Sequence, residues 1–441
     1  MKNFVSLTFF LLIVNVIVVA NQMGWRELSS APVYPSPFGR FEFIYFINPN
    51  TGWAIAGGTY RGVFKTTNSG LTWDSLYGEN IAYSTIGFFN ESLGFLGTVS
   101  DQTNISFRRS SDGGITWEAV TNIPVPYPRG ICGIQILGDS LLFAVGEYSQ
   151  FPTFIKTTDR GNTWSSYDMS FLAKGLTAVY FLNRDTGFVV GHNGVNYNNA
   201  KAVVLKTNNG GLNWKTIYES PNLGQNCWKI TFPSKDTGYI SLESFTLPNR
   251  FLKTIDRGET WMELIFRNTT PSYTQQGIGF INNQTGWIGG SILPSFFSFQ
   301  TTDGGFSWQE FGILKNVNHF HFVNDTLAFA VGRSIYRYST YPLISINKIS
   351  EGIPNSFDLS QNYPNPFNPV TNIRFDIMKA GKVRLSVYDM TGKEVSVLTN
   401  EVLKPGSYEV GFDASHLSSG VYYYRIEAGE FVSVKRMVLL K

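Results

Sequence analysis

The sequence predicts an all-β protein, a seven-bladed β-propeller of four-stranded blades followed by a C-terminal immunoglobulin-like β-sandwich. Three observations lead there. Aromatic residues make up 15% of the 441 residues, charged residues also only 15%, and Gly occurs 43 times, a mixture suited to short strands joined by tight turns. A phrase of the form Thr-x-Asn/Asp-x-Gly-x-Thr-Trp recurs, closing on Trp73, Trp117, Trp164, Trp214, Trp261 and Trp308. The intervals between these Trp residues are 44, 47, 50, 47 and 47, a range shared by propellers and solenoids, and solenoids of that period need helical patterns that this sequence lacks.

The first element is a leader. Lys2 precedes the apolar run FVSLTFFLLIVNVIVVA, and Val18 and Ala20 occupy the small-residue positions before a cut ahead of Asn21. Residues 1–20 are therefore expected to be a secretory signal peptide, with no stable transmembrane segment left after cleavage; an uncleaved anchor is the alternative. Only two cysteines follow, Cys132 and Cys227, so disulfides are not the scaffold even in an oxidising compartment. Two separate buried thiols are expected, with a single bridge between them as the alternative. A formal charge of +3 is too small to argue for nucleic acid as a partner.

Each repeat reads as four strands. Between the Thr-to-Trp phrases lies a second phrase, such as FINPNTGWAIAG (Phe46 to Gly57) and FLNRDTGFVVG (Phe181 to Gly191), and it occurs seven times. An apolar strand, a polar turn, a second apolar strand, a loop, a third strand, the Thr-to-Trp turn and a fourth strand make one antiparallel blade. Radial repetition of blades leaves only short, protected edges. The seventh unit ends in SIYRYS (Ser334 to Ser339) with no Trp phrase, while the segment GWREL resembles TWDSL and TWMEL. The N-terminal segment is thus expected to supply the missing fourth strand, with Trp25 as a seventh Trp and the propeller spanning 21–342.

Within the Thr-to-Trp phrase every residue has a turn role. The Asn or Asp (Asn68, Asp112, Asp159, Asn209, Asp256, Asp303) should accept backbone N–H groups two and three residues on. The Gly (Gly70, Gly114, Gly161, Gly211, Gly258, Gly305) supplies a positive φ, and the Trp covers the hairpin. A peripheral Ca²⁺ or sugar site is the rival reading, but each phrase offers one carboxylate at most, poor for a cation that wants six or more oxygens. No metal and no cofactor are expected.

These phrases resemble the Asp-box, or BNR, repeat of sialidase-like propellers, and the one-per-blade arrangement with DTGW-like phrases looks most like the Ycf48 family of photosystem II assembly factors. The resemblance implies a structural box between the third and fourth strands, away from any site at the ring's mouth. Sialidases of this kind announce their first arginine with an Arg-Ile-Pro phrase, which is missing here; PRG at 128–130 lacks the context. Glycoside hydrolysis needs a pair of carboxylates, and Glu42, Glu147, Asp168, Glu219 and Glu243 are the candidates near strands or mouth loops. No catalytic residue is assigned. Residues leading into the first strands should line one channel mouth: Arg40, Glu42, Arg129, Trp228, Lys229, His319 and His321, with Tyr45 and Tyr180 further along. Polar and aromatic groups there suit capture of a protein or glycan ligand. His319 and His321, two apart on a strand, share a face and could reach a metal, yet no third ligand suggests itself.

From about Ile353 the composition changes. SFDLSQNYPNPFNPVTNIRFDI is rich in turns, with Pro364, Pro366 and Pro369, and alternating strands follow to the C-terminus. QNYPNPFNP, VYDMTGKEV, LSSGVYYYRI and VKRMVLLK resemble the type A C-terminal sorting domain of type IX secretion. That resemblance implies a route through the periplasm and across the outer membrane of a Gram-negative cell, with the secretion machinery as partner of residues 354–441 and a linker at 343–353. It also implies an outer-surface task, so the photosystem role of the Ycf48 family is not carried over.

Overall fold

The computed structural model describes residues 24–28, 30–32, 39–57, 62–78, 82–99, 106–147, 151–244, 248–267, 275–290, 298–339, 347–350, 352–414 and 417–440. The leader expected at 1–20 lies outside them. Among the described residues there is one single-turn 3₁₀ helix, Tyr197–Asn199, and no helix long and apolar enough to cross a membrane.

Seven four-stranded antiparallel sheets form the propeller. Their innermost strands are Phe41–Phe46, Tyr83–Phe88, Gly133–Leu137, Gly175–Phe181, Gln225–Thr231, Gly277–Phe280 and His319–Phe322, here called the first strands of blades 1 to 7. Each packs against the first strand of the next blade, and that of blade 7 packs back against blade 1, so the ring is closed. Blade 7 takes its fourth strand from Gly24–Glu27, which pairs antiparallel with Ile335–Ser339 and sets Trp25 opposite Tyr338. Trp25 is buried edge-on against Trp287 of blade 6, with ring centroids 5.4 Å apart. Both ends of the propeller chain therefore meet in one sheet.

The Thr-to-Trp phrases lie in the hairpins between third and fourth strands, and their hydrogen bonds differ from the sequence expectation. Asp112 Oδ1 accepts from Ile115 N at 3.0 Å and Thr116 N at 2.9 Å, three and four residues on. The N–H two residues on belongs to the Gly, and it is already taken: Gly114 N donates to Ser110 Oγ at 2.8 Å, as Gly70 N does to Thr66 Oγ1 at 2.9 Å. The leading hydroxyl thus displaces the carboxylate by one position. All six phrase glycines have positive φ, from 70° to 98°.

The phrase does more than shape its own hairpin. Phe154 of blade 3 lies against Gly211 of blade 4, and the Trp214 ring packs edge-on against both Phe154 and Phe181, at 5.1 and 6.1 Å. Lysines on third strands reach the same turns of the next blade: Lys156 Nζ donates to Gly210 O at 2.7 Å, and Lys253 Nζ to Gly304 O at 2.7 Å. Each turn is wedged into its predecessor blade, where aromatic edge contacts add about 1 kcal/mol apiece beyond their buried area.

The remaining residues form two four-stranded sheets. One orders Asn347–Ser350, Gly406–Asp413, Val370–Ile377 and Asp358–Leu359; the other orders Glu394–Leu403, Gly381–Tyr388, Gly420–Ala428 and Phe431–Leu439. Alternate residues such as Ile373, Phe375, Leu385, Val387, Tyr424 and Ile426 share one core, as expected of a β-sandwich. The Pro-rich phrase is tied to the last strand by Phe367, which is buried and exchanges backbone hydrogen bonds of 2.9 Å with Val438 and Leu440.

Candidate functional site at the channel throat

Arg40, Gln276 and Asn318 occupy the same register: each is the residue immediately before the first strand of its blade. Placed there, their side chains converge at one mouth of the channel. Arg40 Nε donates to Glu42 Oε1 at 3.1 Å, and its Nη2 crosses to Gln276 Oε1 at 2.5 Å. Asn318 Nδ2 donates to Glu42 Oε2 at 2.6 Å and to Glu42 O at 3.0 Å. Gln276 in turn hydrogen-bonds the carboxyl of Glu243, which also accepts from Trp228 Nε1. One polar network therefore links blades 1, 5, 6 and 7.

Burial sets the charges of this network. The Glu243 carboxyl is almost wholly enclosed, and loss of hydration pushes its pKa up to about 7, against the opposing pull of Trp228, Arg40 and Gln276. Lys229 reaches from blade 5 across the channel, its ammonium 5.3 Å from the ring centroid of Phe43 on blade 1. Burial holds its pKa down to about 8, although Glu42 and Cys132 act the other way. His319 stacks on Phe43, with ring centroids 3.6 Å apart, and burial together with Lys229 keeps it neutral.

The network has unused hydrogen-bonding capacity. Arg40 Nη1, Asn318 Oδ1 and both polar atoms of the Asn226 side chain are enclosed without partners among the described residues. Asn226 is only 1% exposed and lies directly across from Glu243 in the strand pairing. Buried amides normally satisfy both ends, so these open donors and acceptors can take further hydrogen bonds from whatever enters the throat, water included.

Other residues singled out from the sequence lie elsewhere. Tyr45, Tyr180 and His321 hold the seams between blades. His321 Nε2 is 3.2 Å from Phe46 N and 3.0 Å from Phe46 O, Tyr180 Oη donates to Phe232 O at 3.4 Å, and Tyr45 packs against His321 at 5.1 Å. Burial raises the Tyr45 hydroxyl to about 12 and lowers His321 to about 4. Arg129 stands apart in the connection to blade 3, exposed, with its guanidinium 4.1 Å from the Phe151 ring. Asp168 and Glu219 are exposed on outer, fourth strands, the latter paired with Lys201 at 2.9 Å. Glu147, His192 and Glu243 share a place at the end of the second strand in blades 3, 4 and 5, all buried. Cys132 and Cys227 are separate buried thiols.

Sequence reasoning missed Asn226, Gln276 and Asn318. The signal for the last two was their register, one residue ahead of an apolar strand, which Arg40 shares; an amide there carries no charge to draw notice.

Comparison with known proteins follows the same division. Residues 361–440 match the family described as the secretion system C-terminal sorting domain. This tail marks the protein for export by type IX secretion, to the cell surface or beyond it, in Bacteroidetes-type bacteria, and hence for contact with that machinery. Among solved structures, the one described as YCF48 bound to D1 peptide overlaps with a TM-score of 0.51 at 14% identity, covering 72% of this chain and 96% of its own. At that identity the likeness is one of fold. Trypanosoma rangeli sialidase in complex with the inhibitor DANA overlaps with a TM-score of 0.38 at 10% identity, covering 83% and 85%. No curated protein matches the sequence.

Proposed function

We propose that this protein is an exported propeller that binds a polysaccharide at the throat formed by blades 1, 5, 6 and 7. The chain divides, on this reading, into a leader at 1–20, a propeller at 21–342, a linker at 343–353 and a sorting domain at 354–441. The observation that supports binding is the group of enclosed, unpartnered atoms on Arg40, Asn226 and Asn318 beside the linked carboxylates Glu42 and Glu243. Short amides that offer a donor and an acceptor together suit vicinal hydroxyls, and the half-buried Trp228 adds an aromatic face. Glycan-array and calorimetric binding by the mature protein tests this reading. Loss of the ligand in Gln276→Leu and Asn226→Leu, with unchanged melting temperature, is the expected result; undiminished binding by both variants would remove the throat as the site.

A second reading, cleavage of a glycosidic bond, draws on one further observation. Glu243 has a carboxyl that titrates near neutrality, while Glu42 is hydrogen-bonded by a guanidinium and an amide, so the two carboxyls sit in unlike environments. Turnover of chromogenic glycosides that disappears in Glu243→Gln would establish it, and a blank panel would leave binding alone.

A further inference from the structure

Among the described residues of the throat, Arg40 has an ion pair with Glu42, whereas Lys229 has none. Its backbone N–H is used, donating to Ser241 Oγ at 3.0 Å, but its ammonium makes no hydrogen bond or ion pair among the described residues. The ammonium lies over Phe43, and Glu42, the carboxylate that acts on it, is already engaged by Arg40 and Asn318. The side chain is half-buried in the channel wall. An ammonium partly stripped of water gains from an anion, and the face of one Phe ring compensates only in part. The remaining groups acting on it are Arg40, His319 and Cys132, none of which supplies negative charge: burial holds the Cys132 thiol up to about 12, and His319 is neutral. Arg40 adds a second open donor at its buried Nη1.

We propose that Lys229, with Arg40 Nη1, receives a carboxylate of the bound glycan, so that the ligand is an acidic, uronic-acid-type polysaccharide. The proposal rests on the polysaccharide reading of the same throat and narrows its ligand class. The amides of Asn226 and Asn318 take the hydroxyls, and the channel-spanning ammonium takes the charge. At pH 7 the amine, with a pKa near 8, is mostly protonated and ready to pair. A charge-assisted hydrogen bond of this kind separates acidic from neutral ligands by about tenfold or more.

The test uses the mature protein and measures affinity by calorimetry for polygalacturonate, polymannuronate and hyaluronan, and for the carboxyl-reduced form of each. Wild type should bind at least one acidic polymer about tenfold more tightly than its reduced form. Lys229→Gln should abolish that preference, and Lys229→Arg should retain it. The comparison between polymers needs no variant, so it stands even if a Lys229 substitution fails to fold. Equal affinity for acidic and reduced polymers, with both lost in Gln276→Leu, would overturn the inference and leave the polysaccharide reading intact. Binding of a peptide with a free C-terminal carboxylate, and of no polymer in either form, would overturn both.

Discussion

Arg40 and Gln276 stand 236 positions apart in the chain, yet Arg40 Nη2 approaches Gln276 Oε1 to 2.5 Å. The contact crosses blade 7, which lies between blades 1 and 6 in the ring, so it forms only when the ring has closed. Arg40→Met should leave Glu42 with only Asn318 as a side-chain partner in a half-buried site and should cost about 2 kcal/mol of stability. Urea unfolding of wild type and variant checks this, and a difference under about 0.5 kcal/mol would mean that the contact is not maintained in solution.

Two glycines with positive φ separate backbone strain from packing between blades. At Gly138 (φ 63°) an added Cβ meets nothing within 4 Å, so Gly138→Ala should cost only the left-handed penalty of about 1 kcal/mol. At Gly211 (φ 85°) the same atom would lie 2.3 Å from the Phe154 ring of the preceding blade. Gly211→Ala should therefore cost about 3 kcal/mol or more, and its melting temperature should fall well below that of Gly138→Ala. Equal effects would show that the turn shapes only its own hairpin.

The seam between blades 7 and 1 should be sensitive to acid. Burial depresses His321 to about 4 from its ordinary value of 6.5, so between these values the unfolded chain binds a proton that the folded seam does not. The stability contributed by neutral His321 is complete above about pH 6.5 and is lost as pH falls towards 4; His319, also depressed, acts in the same direction. Melting temperatures at pH 7.5 and 4.5 should show the drop. His321→Gln, which can still face Phe46 N and O, should flatten part of it.

Closure by the N-terminal strand makes Trp25 a distant determinant of the whole ring. Trp25→Ala removes a buried ring packed on Trp287, Phe320 and Tyr338, and about 4 kcal/mol should be lost. Hydrogen exchange should then report weakened protection in Ile335–Ser339 before the strands of blades 3 and 4. Uniform loss across all blades would argue against a local seam.

Deletion of Phe431–Leu439 removes an edge strand that carries the buried Met437 and Leu439, and Val438, whose carbonyl accepts from Phe367 N. The shortened protein should accumulate in the periplasm, and cell fractionation would show it there. Its appearance outside the cell would separate the last strand from export.

Much of the fold was legible because its signals are local. A phrase of eight residues contains its own hydroxyl, carboxylate or amide, and glycine, so each turn forms wherever the phrase occurs. Counting the phrases also exposed the blade that lacks one and pointed to Trp25. The site was less legible. Arg40 and Lys229 attracted notice by their charge, whereas Asn226, Gln276 and Asn318 are amides whose role depends on neighbours from other blades. Tyr45, Tyr180 and His321 follow the strand pattern as well as the throat residues do, yet they lie further along the first strands, where side chains meet the next blade before they meet the channel.

Sequence alone determined the all-β class, the number of blades, the positions of the turns and the sorting tail, since each depends on residues close together in the chain. Only the tertiary structure decided that the Thr-to-Trp turns join one blade to the next, that Arg40 meets Gln276, and that Lys229 spans the channel. Those outcomes depend on the angle at which one blade packs on another, and that angle comes from the close packing of many side chains distant in sequence, such as Phe154 against Gly211 and Phe43 against His319.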